Sequence, residues 1–193
     1  MDLTEGSENN KHNRAKKMML WFGIISMVMM FAGLTSAYVV SKTRPDWLTD
    51  FEMPQAFIWS TLTIAASSIT FFLARKSIAG GKRKNGSALL IGTLVLAILF
   101  MVFQFKGFTD IVAMGYYFTG SESNITTSFI YILVVAHLAH LAAGLIVLLV
   151  VIYNHFKQRY RKGQMLGIEL GATFWHFVDF LWIYLFVFLY FFR

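Results

Sequence analysis

Five long apolar segments alternate with short polar ones along the 193-residue chain. A hydrocarbon core of about 30 Å is crossed by roughly 20 helical residues, because an α-helix rises about 1.5 Å per residue. Each apolar segment is therefore long enough to cross a membrane. The pattern predicts an all-α fold, a bundle of five transmembrane helices. The predicted spans are residues 18–41, 56–74, 88–105, 128–153 and 171–192.

The basic residues favour one orientation of these spans. Five spans place the chain ends on opposite sides of the membrane, and short loops rich in Lys and Arg stay in the cytoplasm. One side receives thirteen basic residues from the polar tail (1–17) and the second and fourth loops, and the other side receives four. We therefore expect a cytoplasmic N-terminus and an external C-terminus. The thirteen are Lys11, Arg14, Lys16, Lys17, Arg75, Lys76, Lys82, Arg83, Lys84, Lys157, Arg159, Arg161 and Lys162, and the four are Lys42, Arg44, Lys106 and Arg193.

The composition agrees with a polytopic membrane protein. Hydrophobic residues make up 57% of the chain and charged residues only 14%, which lies outside the averages of soluble domains. The net charge of +7 is accounted for by the basic cytoplasmic loops, so it does not indicate nucleic-acid binding. The chain has no cysteine, which excludes disulfides and thiolate metal ligands.

The fifth span carries three ionisable residues, Glu169, His176 and Asp179. Their spacings of seven and three residues place them on one face of a helix. An ionisable group in hydrocarbon without a partner costs several kcal/mol, so this face is expected to point into protein or water. We expect Asp179 to accept a hydrogen bond from His176 or from the histidines of the fourth span.

The fourth span contains His137 and His140, whose three-residue spacing would permit metal ligation. A haem or copper site would need further ligands, and the one other histidine within a span is His176. The alternative is a pair of histidines that hydrogen-bond Glu169 or Asp179 at a helix interface. We favour this alternative, and we predict that the chain binds no metal.

Two stripes of small or hydroxyl residues recur at helical spacing. Such stripes let membrane helices approach closely or hydrogen-bond across their interface, and a hydroxyl can instead bond its own helical turn. We expect both stripes to lie at helix interfaces, a solute path being the alternative for the second. The first consists of Gly23, Ser26, Met30, Gly33 and Ala37, and the second of Ser60, Thr63, Ser67 and Thr70.

The run WHFVD at residues 175–179, followed by Trp182 and preceded by Glu169, closely resembles the last helix of subunit III of haem-copper oxidases. His137 and His140 resemble the two histidines of that family's penultimate helix. Residues 21–38 resemble a helix of the family in which an intramembrane glutamate follows a serine. In this chain that position is Met27, which has no proton to exchange.

The resemblance covers most of residues 18–193 and implies the short, five-helix bacterial form of subunit III, without the first two helices of longer relatives. It implies a non-redox subunit of a proton-pumping terminal oxidase in the respiratory chain, located in the bacterial inner membrane. Such a subunit packs on the catalytic subunit I, supports proton uptake and has a capacity to bind phospholipid. Haem and copper are then expected in partner subunits, and Trp175 joins the polar residues above as a structural candidate.

Two other functions stay open. A subunit III homologue that associates with nitric oxide reductase would share the five-helix plan. A small free-standing transporter belongs to a different class, but no inverted repeat and no span broken by proline is found in the sequence, so the usual signs of an alternating-access site are missing.

Overall fold

The chain folds into five long helices joined by short connections. The computed structural model describes residues 8–45, 47–48, 53–118, 124–160 and 165–192. All five helices are long and apolar enough to cross a membrane, and no β-strand occurs in these ranges. The predicted all-α fold with five spans is therefore confirmed. The helices are α1 (Glu8–Ser41), α2 (Gln55–Ala79), α3 (Arg83–Ala113), α4 (Ile125–Phe156) and α5 (Leu166–Phe192).

Every helix extends beyond its predicted span. The helix α1 begins inside the polar tail, and α3 continues to Ala113, well past the apolar limit at residue 105. Hydropathy marks where the side chains stop being apolar, but backbone hydrogen bonds continue through polar residues that lack a proline. The start of α4 is fixed by Asn124, whose side chain accepts hydrogen bonds from the amides of Thr126 and Thr127 at 3.0 and 3.4 Å.

The helices pack in an order that differs from their order in the chain. The helices α2 and α3 form a hairpin with the most extensive interface, and α5 packs against α1, α2 and α4. Within the described ranges α1 packs on α4 and α5 but not on α2, its neighbour in sequence. The helices α4 and α5 therefore connect α1 to the rest of the bundle.

Contacts at the two ends of the bundle show that successive helices run in opposite directions. At one end Tyr38 of α1 lies against Phe129 near the start of α4 and Phe188 near the end of α5, with ring centroids 6.0 and 5.4 Å apart. At the other end Ser87 of α3 bonds His155 of α4 at 2.8 Å. The start of α1 and the end of α5 thus lie at opposite ends of the bundle.

The described residues among the thirteen basic ones lie at the end formed by the start of α1 and the α2–α3 and α4–α5 connections, here called the basic end. Arg161, Lys162 and Arg193 lie outside the described residues. The charge pattern thus maps onto one end of the fold. That this end faces the cytoplasm stays a prediction.

Aromatic side chains and small residues fill the contacts among α2 to α5. Trp175 and Trp182 are the largest fully buried side chains of the core. Gly171 lies where a methyl group would come within 2.8 Å of Val151, and Gly144 lies against Trp175 at a corresponding 3.4 Å. These glycines let α5 approach α4 closely.

The small-residue stripe of α1 faces away from the bundle. A methyl group at Gly23 or Gly33 would meet nothing within 4 Å. The helix packs instead through Phe31, Thr35 and Tyr38, a face about 130° away at 100° per residue. The stripe was expected to pack, and within this chain that expectation is wrong, because bulky side chains on the other face fill the space against α4 and α5.

Candidate functional site

The ionisable residues of α5 turn toward α2, where they form a polar face that starts at the basic end. Glu169 lies 3.9 Å from Arg75, and both side chains are partly exposed. Two turns further along α5, the Nδ1 atom of His176 lies 2.6 Å from the hydroxyl of Ser68. Asp179 follows one turn later and is 1% exposed. The face therefore passes from solvent into the interior within three turns of helix.

Asp179 is buried without a hydrogen bond. Neither carboxyl oxygen has a partner among the described residues, although the Ser68 hydroxyl lies beside the carboxyl. The expected hydrogen bond from His176 or the α4 histidines is therefore not formed. The reason is geometric, since the Nδ1 atom of His176 is engaged by Ser68 and the histidines of α4 face other neighbours.

The two α4 histidines lie in different environments. His137 is fully buried between Phe100 and Trp182, with ring centroids 6.1 and 5.0 Å away, and neither ring nitrogen has a partner in the described part. His140 is half-buried, bonds the carbonyl oxygen of Ala136 at 2.7 Å and lies against Phe31 of α1. The expected bonds to Glu169 or Asp179 are absent from the described structure. A three-residue spacing still separates two side chains by about 60°, enough at a helix junction to give them different neighbours.

Hydroxyl groups of α2 accept hydrogen bonds from the two buried tryptophans of α5. The indole N–H of Trp175 donates to Ser67 Oγ at 3.0 Å, and that of Trp182 donates to Thr61 Oγ1 at 3.0 Å. A buried indole needs such an acceptor. These bonds fix the register between α2 and α5, and with it the depth of Asp179 between the two tryptophans.

The rest of the hydroxyl stripe links α2 to α3. Gln104 donates to Ser60 at 3.0 Å, and Thr70 and Thr93 share a bond of 3.0 Å. Thr63 bonds its own helix at the carbonyl of Trp59. The expectation that this stripe lies at helix interfaces is confirmed for Ser60, Ser67 and Thr70. Ser68, which bonds His176 one turn from Asp179, was missed because it lies off the three- and four-residue spacing of the stripe.

Comparison with known proteins identifies the chain's relatives. The family model for cytochrome c oxidase subunit III matches residues 3–193. The chain belongs to the cytochrome c oxidase subunit III family. Cytochrome c oxidase subunit 3 of Triticum aestivum is 29% identical over 208 residues, covering 97% of this chain and 74% of that protein. The corresponding proteins of Pyricularia grisea and Loxodonta africana are 29% and 27% identical, over 97% of this chain and 73% and 75% of their own lengths.

The resemblance inferred from the WHFVD run is thereby confirmed. The structure shows which residues of that run face the core of the bundle. Its first residue, Trp175, and its last, Asp179, are both buried, whereas the central Phe177 is partly exposed. Members of this family are subunits of cytochrome c oxidase, which is an oxidoreductase complex. The chain is thus a multi-pass membrane component of a respiratory assembly.

Met27, at the position where the family resemblance implies a glutamate, lies on α1 and is half-buried. It belongs to a different helix from the polar face of α5. No three His, Asp or Glu side chains converge within the described residues in a way that would hold a metal ion. The prediction that this subunit III chain binds neither haem nor copper stays a prediction.

Proposed function

We propose that this chain is the non-redox subunit III of a proton-pumping terminal respiratory oxidase, in which partner subunits carry haem and copper and reduce oxygen to water. The observation that supports this most strongly is the family match over residues 3–193, together with the polar and aromatic face of α5. In this proposal the chain stabilises the catalytic subunit I and supports its proton uptake in a bacterial inner membrane.

The outward face of α1 fits contact with subunit I. Only 17% of the α1 span is buried in the chain, compared with 39% for α2 and α5. Gly23 and Gly33 leave open space on this face, and small residues allow a second helix to approach closely in a membrane. A helix of subunit I packed on this stripe would supply the partner that the stripe lacks within the chain.

Phospholipid binding fits the surface between α1 and α5. An apolar cleft of about 290 Å³ lies between these helices, and a polar groove of about 510 Å³ lies at their basic end. Arg14 and Lys17 in that groove carry the charge that attracts anionic headgroups. The cleft is lined by Val28, Phe31, Ala32, Phe177, Phe180, Leu181 and Tyr184.

Purification of the tagged chain from its native membrane tests the proposal. The expected result is a complex with subunit I that contains haem and copper and consumes oxygen. Recovery with nitric oxide reductase, or as a monomer that moves solute in liposomes, would contradict it.

The variant Gly33→Leu tests the contact on α1. The leucine side chain meets open space within the chain, so the chain should still fold, but it would obstruct a helix of subunit I packed on the stripe and should reduce the amount of subunit I that is recovered. The matched control is Gly92→Leu, which also meets open space, on α3. If both variants recover subunit I equally, the α1 stripe is not the contact.

A further inference from the structure

We propose that Asp179, Ser68 and His176 form a proton-exchange site inside the bundle that connects to solvent at the basic end. The proposal does not depend on the role in an oxidase. It rests on a buried carboxyl without a partner, on a short Ser–His hydrogen bond beside it, and on the way this pair connects to solvent.

Burial determines the form of the carboxyl. At 1% exposure and without a hydrogen bond in the described structure, an ionised Asp179 would lose its hydration without compensation, which costs several kcal/mol. The neutral acid avoids that cost and holds a proton. The other ionisable groups along these helices are the partly exposed pair Arg75 on α2 and Glu169 on α5, together with His176 on α5 and His137 and His140 on α4. The helix α3 has its described charged residues toward its two ends.

Ser68 can carry a proton between Asp179 and His176. Its oxygen lies beside the carboxyl and 2.6 Å from Nδ1 of His176. The carboxyl first turns to donate its O–H to the Ser68 oxygen, a hydrogen bond that the described structure does not contain. The O–H bond of Asp179 then breaks and its proton bonds to the Ser68 oxygen, while the original hydroxyl proton of Ser68 moves to Nδ1. The products are a carboxylate and an imidazolium, which then releases a proton from Nε2 to water. The reverse sequence reloads the acid, so protons balance without any other reactant.

The way to solvent leads to the basic end. His176 is half-buried, and two turns closer to the basic end Glu169, whose side chain is 38% exposed, pairs with Arg75. Asp179 lies ten residues beyond Glu169, or about 15 Å along the helix axis. The exchange route is therefore short and lined by polar groups.

The opposite direction is closed by aromatic rings. Trp182, one turn beyond Asp179, is 1% exposed and is held by its bond to Thr61. Phe100 packs against its ring at a centroid distance of 5.4 Å, and His137 at 5.0 Å. Among the described residues, the polar route from Asp179 therefore leads toward the basic end.

Infrared spectroscopy of the full chain in lipid nanodiscs tests the site. The carbonyl stretch of a protonated carboxylic acid should be present at neutral pH and absent in Asp179→Asn. Labelling aspartate with ¹³C at the carboxyl should shift that band in the unsubstituted chain. This measurement assigns the band to an aspartate without any substitution, so it remains informative if the Asn variant does not fold. A band that persists in Asp179→Asn, or that does not shift on labelling, would overturn the assignment.

The relay is tested by the rate at which this band shifts after transfer to D₂O. Ser68→Ala and His176→Phe should slow the exchange by at least about tenfold, whereas Thr63→Ala should stay within about twofold, because the Thr63 hydroxyl bonds the carbonyl of Trp59 in its own helix. Thr63→Ala is the control, since it removes a hydroxyl from the same helix without removing a hydrogen bond to α5. Exchange in both relay variants at the rate of the unsubstituted chain would show that protons reach Asp179 by another route.

Discussion

Polar side chains inside the bundle are satisfied to different degrees, and the difference separates structural from reactive candidates. Trp175, Trp182 and Gln104 each donate a hydrogen bond to a hydroxyl of α2, a contribution of about 1 kcal/mol each. Asp179 and His137 have no such partner in the described structure. The tryptophans therefore hold the helices together, whereas the proton-exchange proposal rests on the unsatisfied carboxyl.

The α4 histidines provide a prediction about redox centres. Their contacts are aromatic rings for His137 and a backbone carbonyl for His140, so neither contact indicates a metal. Replacing both with Gln in the oxidase should leave the visible haem spectrum per catalytic subunit unchanged, as measured against the unsubstituted complex. Loss of a haem band in the variant, with all subunits still assembled, would contradict the prediction.

Met27 provides a second prediction at this scale. A thioether cannot react with a hydrophobic carbodiimide, whereas a protonated buried carboxyl can. Mass spectrometry of the treated complex should therefore find no adduct in residues 18–42, and Met27→Leu should leave oxygen turnover unchanged over repeated cycles. Met27→Glu, the positive control, should create a labelled site on α1. A marked loss of turnover in Met27→Leu, despite normal assembly, would mean that position 27 has a role unrelated to a carboxylate.

Helix pairs in this bundle depend on glycines at specific contacts. Gly107 of α3 lies where a methyl group would come within 2.8 Å of Phe57 Cζ. Phe57 is itself buried and packed near Trp182, with ring centroids 6.0 Å apart, so it has little room to move. The α2–α3 hairpin is therefore sensitive to one added carbon at this position.

Gly107→Ala should lower the free energy of unfolding by about 1–3 kcal/mol, the usual effect of overpacking a core. Gly92→Ala on the same helix meets nothing within 4 Å and should be neutral or stabilising by up to about 1 kcal/mol, because alanine favours the helix more than glycine. Unfolding in a detergent titration followed by circular dichroism measures both. Equal stabilities would show that the Phe57 ring moves aside at little cost.

At the scale of the whole molecule, most of the described basic residues lie at one end, and the start of α1 and the end of α5 lie at opposite ends. The positive-inside rule then predicts that the basic end faces the cytoplasm. A reporter fused after Arg193 should be active outside the cytoplasm, and one fused before Met1 inside. Finding both reporters on the same side would contradict five membrane crossings.

The sequence was sufficient for the features that depend on local composition. The number and approximate position of the spans follow from runs of about 20 apolar residues, and the family follows from the run at residues 175–179. The helix ends did not follow, because α1 and α3 continue through polar residues that hydropathy excludes. The shared face of Glu169, His176 and Asp179 could be predicted, since it requires only the helical period.

The tertiary structure alone decided which helix faces meet. In a membrane, lipid is as apolar as the protein core, so hydrophobicity does not distinguish a buried face from an exposed one. The small-residue stripe of α1 therefore turned out to face outward, while Phe31 and Tyr38 face α4 and α5. For the same reason the separation of His137 from His140, and the isolation of Asp179 beside Ser68, became visible only when the helices were assembled.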